Sequence, residues 1–161
     1  MSRSLLNRLS GRGGPPVTLH EAAAEGSVSD LKKALRSSKS DVNDVDQKHW
    51  SPLHAAAHAK SVECCRLLLE AGADSYTPSS TNTTPMHLVC RIRGEAGLQE
   101  LLGLFMEKGA DLNYPNASGM TPLHEAVMYG EVATVKLLLK KKAFVNSAGA
   151  AGVTPLHCAI Q

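Results

Sequence analysis

The sequence predicts an all-α fold, a solenoid of stacked helix-turn-helix units. Leu and Ala together supply 41 of the 161 residues and only six residues are aromatic, a composition that favours packed helices over sheets. A short motif, Leu or Met followed by His, occurs five times, and its histidines are spaced by 34, 33, 37 and 33 residues. Because a single helix pair cannot bury both of its faces, this period predicts units that stack on one another.

The charge distribution argues against a dedicated nucleic-acid-binding protein. Seventeen basic and fifteen acidic residues give a net charge of +2. The first 17 residues hold three arginines and no acid, so the remaining chain has 14 basic and 15 acidic groups and a net charge of −1. We therefore predict a disordered basic tail at residues 1–16, which lacks the long apolar segment of a secretory signal. No uncharged apolar stretch approaches the length that a bilayer requires.

The residues around each motif predict where the helices begin and end. A Ser-Pro or Thr-Pro pair precedes four of the motifs, at residues 51–52, 84–85, 121–122 and 154–155. The hydroxyl residue predicts an N-cap, and proline suits the first helical position. Gly26 and Gly130 predict the end of a first helix. A Leu-rich second helix follows in the later units and is predicted to end at Gly72 or Gly109, before a polar turn that leads to the next unit.

Four departures from the repeat carry further predictions. The first unit has Val17-Thr18 in place of the hydroxyl-proline pair, which is typical of a terminal capping unit. The third unit is four residues longer than the others, and the excess within residues 91–100 predicts a longer loop between its helices. Asn82 occupies a glycine position of a turn, and asparagine tolerates the left-handed conformation. Lys141 and Lys142 stand where glycine is usual.

These recurring elements resemble the ankyrin repeat family. They comprise the Thr-Pro-Leu-His sequence at residues 121–124 and 154–157 and the Gly-Ala-Asp sequence at 72–74 and 109–111. The resemblance covers residues 17–161 and implies an ankyrin repeat domain with units of about 17–50, 51–83, 84–120 and 121–153. Residues 154–161 match only the first helix of a fifth unit. We therefore expect the chain to be part of a longer array.

The repeated histidines do not predict a metal or catalytic site. They recur at one helical position, so we expect them to face neighbouring units and to tie each helix to the adjacent turn by hydrogen bonds. His20-Glu21 and His124-Glu125 lack the second histidine of the zinc-protease motif. We therefore expect a protein that is not an enzyme, with no cofactor, no metal site and no small-molecule substrate.

The four cysteines show no Cys-x-x-Cys spacing, and two of them, Cys64 and Cys65, are adjacent within a helical stretch. This pattern indicates free thiols in or near the core of a protein in a reducing compartment. We therefore expect an intracellular protein, located in the cytoplasm, the nucleus or both.

The resemblance implies a protein or peptide partner, because members of the family bind proteins on the concave face of the solenoid and at its turn tips. Trp50 is the only tryptophan of the chain, and it either contacts the partner or braces the neighbouring turn. The positions that make such contacts in the family carry interaction-prone side chains here at Gln47, Lys48, Trp50, His58, Arg91, Met120, Met128 and Tyr129.

Two alternatives remain open at this stage. The chain can be the regulatory segment of a larger enzyme or channel, docking within the same protein. Lys136 and Lys140–Lys142, together with the basic tail, can also bind chromatin or another acidic surface, and the lysines can bind an anionic lipid. We favour a solvated helix end as the explanation of the lysines, since cations suit a helix C-terminus. We expect neither a nucleic acid nor a membrane to be the partner.

Overall fold

A computed structural model of the chain describes residues 17–37 and 41–160. The predicted tail at residues 1–16 lies outside the described residues, as do residues 38–40 and 161. The described part contains nine α-helices and a single 3-10 turn at Ala150–Gly152. The α-helices are α1 (Leu19–Ala24), α2 (Val28–Leu35), α3 (Pro52–His58), α4 (Val62–Glu70), α5 (Pro85–Val89), α6 (Leu98–Glu107), α7 (Pro122–Met128), α8 (Val132–Lys140) and α9 (Pro155–Cys158).

The helices form two rows. The odd-numbered helices α1 to α9 pack against one another in chain order and form the inner row, and α2, α4, α6 and α8 form the outer row. Each of the first four inner helices also packs against the outer helix that follows it. No strand occurs within the described residues. The predicted all-α solenoid is confirmed.

Each inner helix begins at a hydroxyl residue that forms a capping box with the residue three positions later. In α1 the Thr18 hydroxyl accepts a hydrogen bond from the Glu21 backbone at 3.2 Å, and the Glu21 carboxylate accepts one from the Thr18 backbone at 3.0 Å. In α3 the same pairing joins Ser51 to His54, and the later inner helices repeat it. The predicted capping role of the hydroxyl-proline pairs is confirmed.

The core lies between the two rows and follows the repeat. Small residues such as Ala22, Ala56 and Ala126 are fully buried in the inner helices, which allows neighbouring units to approach closely. Leu68 and Phe105 occupy equivalent positions on α4 and α6 and are fully buried as well. The four cysteines are all buried free thiols, as the sequence predicts.

The outer helices α4, α6 and α8 end in one conformation, whether or not glycine is present. Gly72 follows α4 with φ +91° and Gly109 follows α6 with φ +87°, which confirms the two predicted helix ends. Lys142 follows α8 and adopts the same left-handed region, with φ +66°. The backbone N–H of Lys142 donates to the Leu139 carbonyl at 3.0 Å, as that of Gly72 does to Leu69 at 3.2 Å. Lys142 therefore adopts the backbone conformation that glycine has at the two equivalent positions, although lysine has less conformational freedom than glycine.

The extra residues of the third unit lie between α5 and α6. The loop spans residues 90–97, whereas residues 25–27, 59–61 and 129–131 connect the other helix pairs. Gly94 and Gly97 have positive φ values of +65° and +77° and turn the chain within the loop. The Gly94 N–H donates to the Glu131 carboxylate of the next unit at 3.2 Å. The predicted longer loop is confirmed, and it is held against the start of α8.

Candidate protein-binding surface

Four tight turns, at residues 46–50, 79–83, 116–120 and 149–153, precede inner helices and share one backbone pattern. In the first turn the Asp46 N–H donates to the Trp50 carbonyl at 2.9 Å, and the last turn repeats this bond from Gly149 to Val153 at 2.8 Å. The Asp46 carboxylate accepts hydrogen bonds from the Trp50 and Lys48 backbones, and these lower its pKa.

Neighbouring turn tips are joined by one backbone hydrogen bond each. The Ser80 N–H donates to the Lys48 carbonyl at 3.0 Å, and the Ala117 N–H donates to the Thr81 carbonyl at 2.9 Å. The last two tips are joined in the same way, across 2.8 Å. We call the surface formed by the four tips and the inner helices the inner face. Its tips form one continuous row, so a partner lying along them meets several units at once.

The repeated histidines connect successive units, as the sequence predicts. In the first four of the repeated histidines, the Nε2 atom is hydrogen-bonded to the carbonyl of the last residue of the next turn. The distances are 2.8 Å from His20 to Trp50, 2.9 Å from His54 to Thr83, 3.0 Å from His87 to Met120 and 3.1 Å from His124 to Val153.

In the histidines of the capping boxes, the contact of Nδ1 determines which ring nitrogen carries the proton. The Ser51 N–H donates to His54 Nδ1 at 3.1 Å, so Nδ1 is an acceptor and the ring proton lies on Nε2. Burial lowers the pKa of His54 to about 4 and also lowers that of His87. The imidazoles of His54 and His87 are therefore neutral structural links with both ring nitrogens hydrogen-bonded, which leaves these two residues unsuited to bind a metal.

Trp50 lies at the end of the first turn and packs on α3. Its ring stacks on the His54 ring at 6.0 Å between centroids and meets the edge of the His58 ring at 5.2 Å. The side chain is half-buried and contacts the hydrophobic core, whereas His58 is exposed. Trp50 therefore braces its turn and still presents part of its ring to solvent.

Arg91 is bound within the molecule. Its Nε and Nη2 donate to the two carboxylate oxygens of Glu125 at 2.9 and 2.8 Å, and its guanidinium lies 5.8 Å from the centre of the Tyr129 ring. The Glu125 side chain is 6% exposed and that of Arg91 is 32% exposed. The contact joins the third unit to the fourth and orients Tyr129 on the inner face.

The structure brings four of the predicted contact residues together in two pairs, Trp50 with His58 and Arg91 with Tyr129. The exposure of the other predicted residues and of Tyr129 varies. Gln47, Lys48, Met128 and Tyr129 are exposed and Met120 is half-buried.

Glu125 is the residue of this surface that the sequence reasoning missed. It aligns with Ala55 of the second unit and Leu88 of the third, where the repeat has apolar residues. A carboxylate at a position that the repeat buries requires a cation nearby, and Arg91 is the basic residue at the end of the preceding inner helix. Comparing the units column by column would have indicated this pair.

Within the described residues, no cluster of histidine, cysteine or acidic side chains has the composition of a metal site. The helices in that part of the chain are too short or too polar to cross a membrane.

The family model described as Ankyrin repeats (3 copies) matches residues 19–116 and, overlapping them, residues 93–161. Mouse "Protein phosphatase 1 regulatory subunit 12A" is 40% identical over 68 residues, which cover 42% of this chain and 6% of that protein. Human "Ankyrin repeat and SOCS box protein 3" is 38% identical over 65 residues, which cover 40% of this chain and 12% of that protein.

Human "DNA-binding protein RFXANK" is 37% identical over 60 residues, which cover 37% of this chain and 23% of that protein. The aligned part is thus less than a quarter of each of these relatives. The family match extends over nearly all of the described residues, and it agrees with the helix pairs, the capping boxes and the linking histidines. The chain belongs to the ankyrin repeat family.

Proposed function

We propose that this chain is a non-catalytic protein-interaction module that binds a peptide or a protein on its inner face. The observation that carries the proposal is the exposure of large apolar side chains there. Met128 is 52% exposed and Tyr129 is 38% exposed, while Leu123 and Ala126 of the same helix are buried. Aromatic side chains and methionine are enriched where proteins bind partners, so their exposure on this face supports a binding role.

The inner face offers two apolar sites with a polar stretch between them. Trp50 and His58 form the first site, and Met128 and Tyr129 form the second. The turn between them, residues 79–83, consists of serine, threonine and asparagine. An extended segment with two apolar side chains separated by polar residues would fit this arrangement.

The relatives favour one further candidate function. One of them is named a regulatory subunit, so the same surface can serve a regulatory protein by holding a second domain or subunit in place. The four buried reduced thiols support our proposal of an intracellular location, in the cytoplasm, the nucleus or both. If the partner is part of the same polypeptide, it would compete with an added peptide for the inner face in a longer protein. It would not compete in this chain alone.

Selection of binders from a random peptide library, followed by calorimetric titration, tests the proposal. We expect a selected peptide to lose about 2 kcal/mol of binding free energy with Tyr129→Ala and a similar amount with Trp50→Ala, as is common for interface anchors. Phe144→Ala is the matched control, because Phe144 is an exposed aromatic residue that follows the outer helix α8.

The outcome depends on which variant loses affinity. Full affinity in both Trp50→Ala and Tyr129→Ala would refute the inner-face assignment, provided that circular dichroism shows wild-type helix content. Loss in Phe144→Ala alone would place the site on the outer row instead.

A further inference from the structure

The segment that follows α8 differs in chemistry from the equivalent segments of the two preceding units. Residues 70–74 read Glu-Ala-Gly-Ala-Asp with a charge of −2, and residues 107–111 read Glu-Lys-Gly-Ala-Asp with a charge of −1. Residues 140–144 read Lys-Lys-Lys-Ala-Phe with a charge of +3. The three segments have the same backbone hydrogen bonds, so the comparison is between positions of one structure.

The positive charge at this segment is concentrated and exposed. Lys136 precedes Lys140 by one helical turn on α8, which places the two on the same side of the helix. All four lysines of residues 136–142 are exposed, and none forms an ion pair with another described residue. Residues 132–161 contain no Asp or Glu. The positive charges of the four lysines therefore add to one another at the protein surface.

Apolar side chains are exposed beside these lysines. Phe144 is 64% exposed, and it stands where the two preceding units have an exposed aspartate, Asp74 and Asp111. Leu139 and Val145 are 43% and 51% exposed, but the equivalent Leu69 and Ser75 are buried against the unit that follows them, so Phe144 is the side chain whose exposure sets this segment apart. The Phe144 N–H donates to the Asn113 side-chain oxygen at 2.7 Å, so an ordered backbone presents the ring. Solvation of a helix end accounts for the lysines but not for an exposed phenylalanine.

Lys142 also differs from the two equivalent residues in how well its residue type suits the backbone conformation. It adopts a left-handed φ of +66°, which glycine adopts at the two equivalent positions without steric cost. Lys60 likewise has a φ of +59° at a position where the first and fourth units have glycine, so what distinguishes Lys142 is its place beside other lysines. Here the side chain supplies one of the four charges.

We propose that this surface, which we call the lysine corner (Lys136, Lys140, Lys141 and Lys142 with Phe144), binds the surface of a bilayer that contains anionic phospholipids. Lysine ammonium groups are attracted to the negative lipid headgroups, and the phenylalanine ring enters the boundary between headgroups and acyl chains.

The chemistry of the corner favours a lipid surface over an acidic protein. All four cations are lysines, which act as point charges without the paired donors that arginine offers to individual carboxylates. A fluid array of headgroups requires no fixed geometry. The proposal departs from our sequence-based expectation of no membrane partner, and the exposed Phe144 is the reason. The corner follows the outer row, so it leaves the inner face free for a protein partner.

Sedimentation of the full chain with vesicles tests the proposal. We expect binding to vesicles of phosphatidylcholine mixed with phosphatidylserine, no binding to phosphatidylcholine alone, and weaker binding as salt is added. The key variant is the triple substitution Lys140→Glu, Lys142→Gly and Phe144→Asp, which reproduces the sequence of residues 107–111 and therefore preserves the backbone. It changes the charge of the corner by −4, and each unit charge near an anionic bilayer alters the affinity by roughly a factor of five, so the affinity should fall at least about a hundredfold.

Matched controls separate the corner from net charge. The double variant Lys32→Glu, Arg36→Glu changes the net charge by −4, as the triple variant does, at two exposed residues of α2 and its C-cap, and should leave vesicle binding unchanged. Tyr129→Ala should also leave it unchanged. Wild-type vesicle binding by the folded triple variant would overturn the proposal, since another basic segment would then be responsible. Binding to a polyglutamate peptide without binding to anionic vesicles would assign the corner to an acidic protein and overturn it as well.

Discussion

Arg91 of the third unit donates two hydrogen bonds to the carboxylate of Glu125 in the fourth, at 2.9 and 2.8 Å. The carboxylate is buried beneath the inner face, and Arg91 is its ion-pair partner. Arg91 therefore joins two units and at the same time positions the Tyr129 ring.

Removing the cation should destabilise the fold. We expect Arg91→Gln to lower the free energy of unfolding by about 1–3 kcal/mol, because Glu125 remains buried without a charged partner. Urea denaturation measures the change, and Arg93→Gln at a neighbouring exposed arginine is the control. The double variant Arg91→Gln, Glu125→Gln should lose less than the sum of the single variants. Equal stability of Arg91→Gln and Arg93→Gln would contradict the structural role.

Lys142→Gly should stabilise the chain by about 0.5–1 kcal/mol, because glycine relieves the left-handed strain at the end of α8, less the entropy it adds to the unfolded state. Lys141→Gly is the matched control, since Lys141 has a φ of −89° and gains nothing from glycine. Thermal denaturation of the two variants measures the difference. A melting temperature that falls in Lys142→Gly would mean that the lysine side chain contributes contacts that outweigh its strain.

Stability should decrease on acidification below about pH 6.5. In the unfolded chain His54 has an ordinary pKa near 6.5, whereas burial lowers the pKa of the folded state to about 4. Between these values the unfolded state binds more protons, so unfolding becomes more favourable as the pH falls from about 6.5 towards 4. Burial lowers the pKa of His87 too and adds to the effect.

Urea denaturation at pH 7 and at pH 5 measures this dependence, and His54→Gln should reduce it. Nitrogen chemical shifts of the imidazole should show the proton on Nε2 at pH 7. A stability that is constant between pH 7 and pH 5 would exclude buried neutral histidines.

Trp50 and His58 should differ in their effect on stability. Trp50→Ala removes a half-buried ring that stacks on His54 and contacts the core, so we expect a loss of about 1–3 kcal/mol. His58→Ala removes an exposed ring and should cost less than about 0.5 kcal/mol. Chemical denaturation followed by circular dichroism compares them. Equal losses would show that the brace depends on His58 as much as on Trp50.

The features that repeat were predictable from the sequence. The capping hydroxyls and the glycines after α4 and α6 depend on the residues next to them in the sequence. The linking histidines contact the next unit at a constant sequence separation, which the repeat itself reveals. The length of the third unit likewise predicted the loop at residues 90–97.

The features that differ between units were less predictable. Arg91 was expected to contact a partner, and its pairing with Glu125 depends on the distance between two side chains 34 residues apart. The accessibility of Phe144 depends on which neighbours cover it, which composition does not specify. Trp50 was predictable only in part. Its position in the repeat predicted a contact with a partner or a brace on the turn, but its stacking on α3 could be seen only in the structure.

The loop at residues 90–97 has a practical consequence for labelling the protein. Four additional residues enter the array there, yet the hydrogen bonds between neighbouring turn tips are the same on either side of it. Natural variation in length has thus been absorbed without changing the spacing of the tips. A fluorophore inserted next to the exposed Gly94, which is hydrogen-bonded to Glu131 two residues from Tyr129, would therefore report on partner binding near Tyr129 while leaving the lysine corner unobstructed.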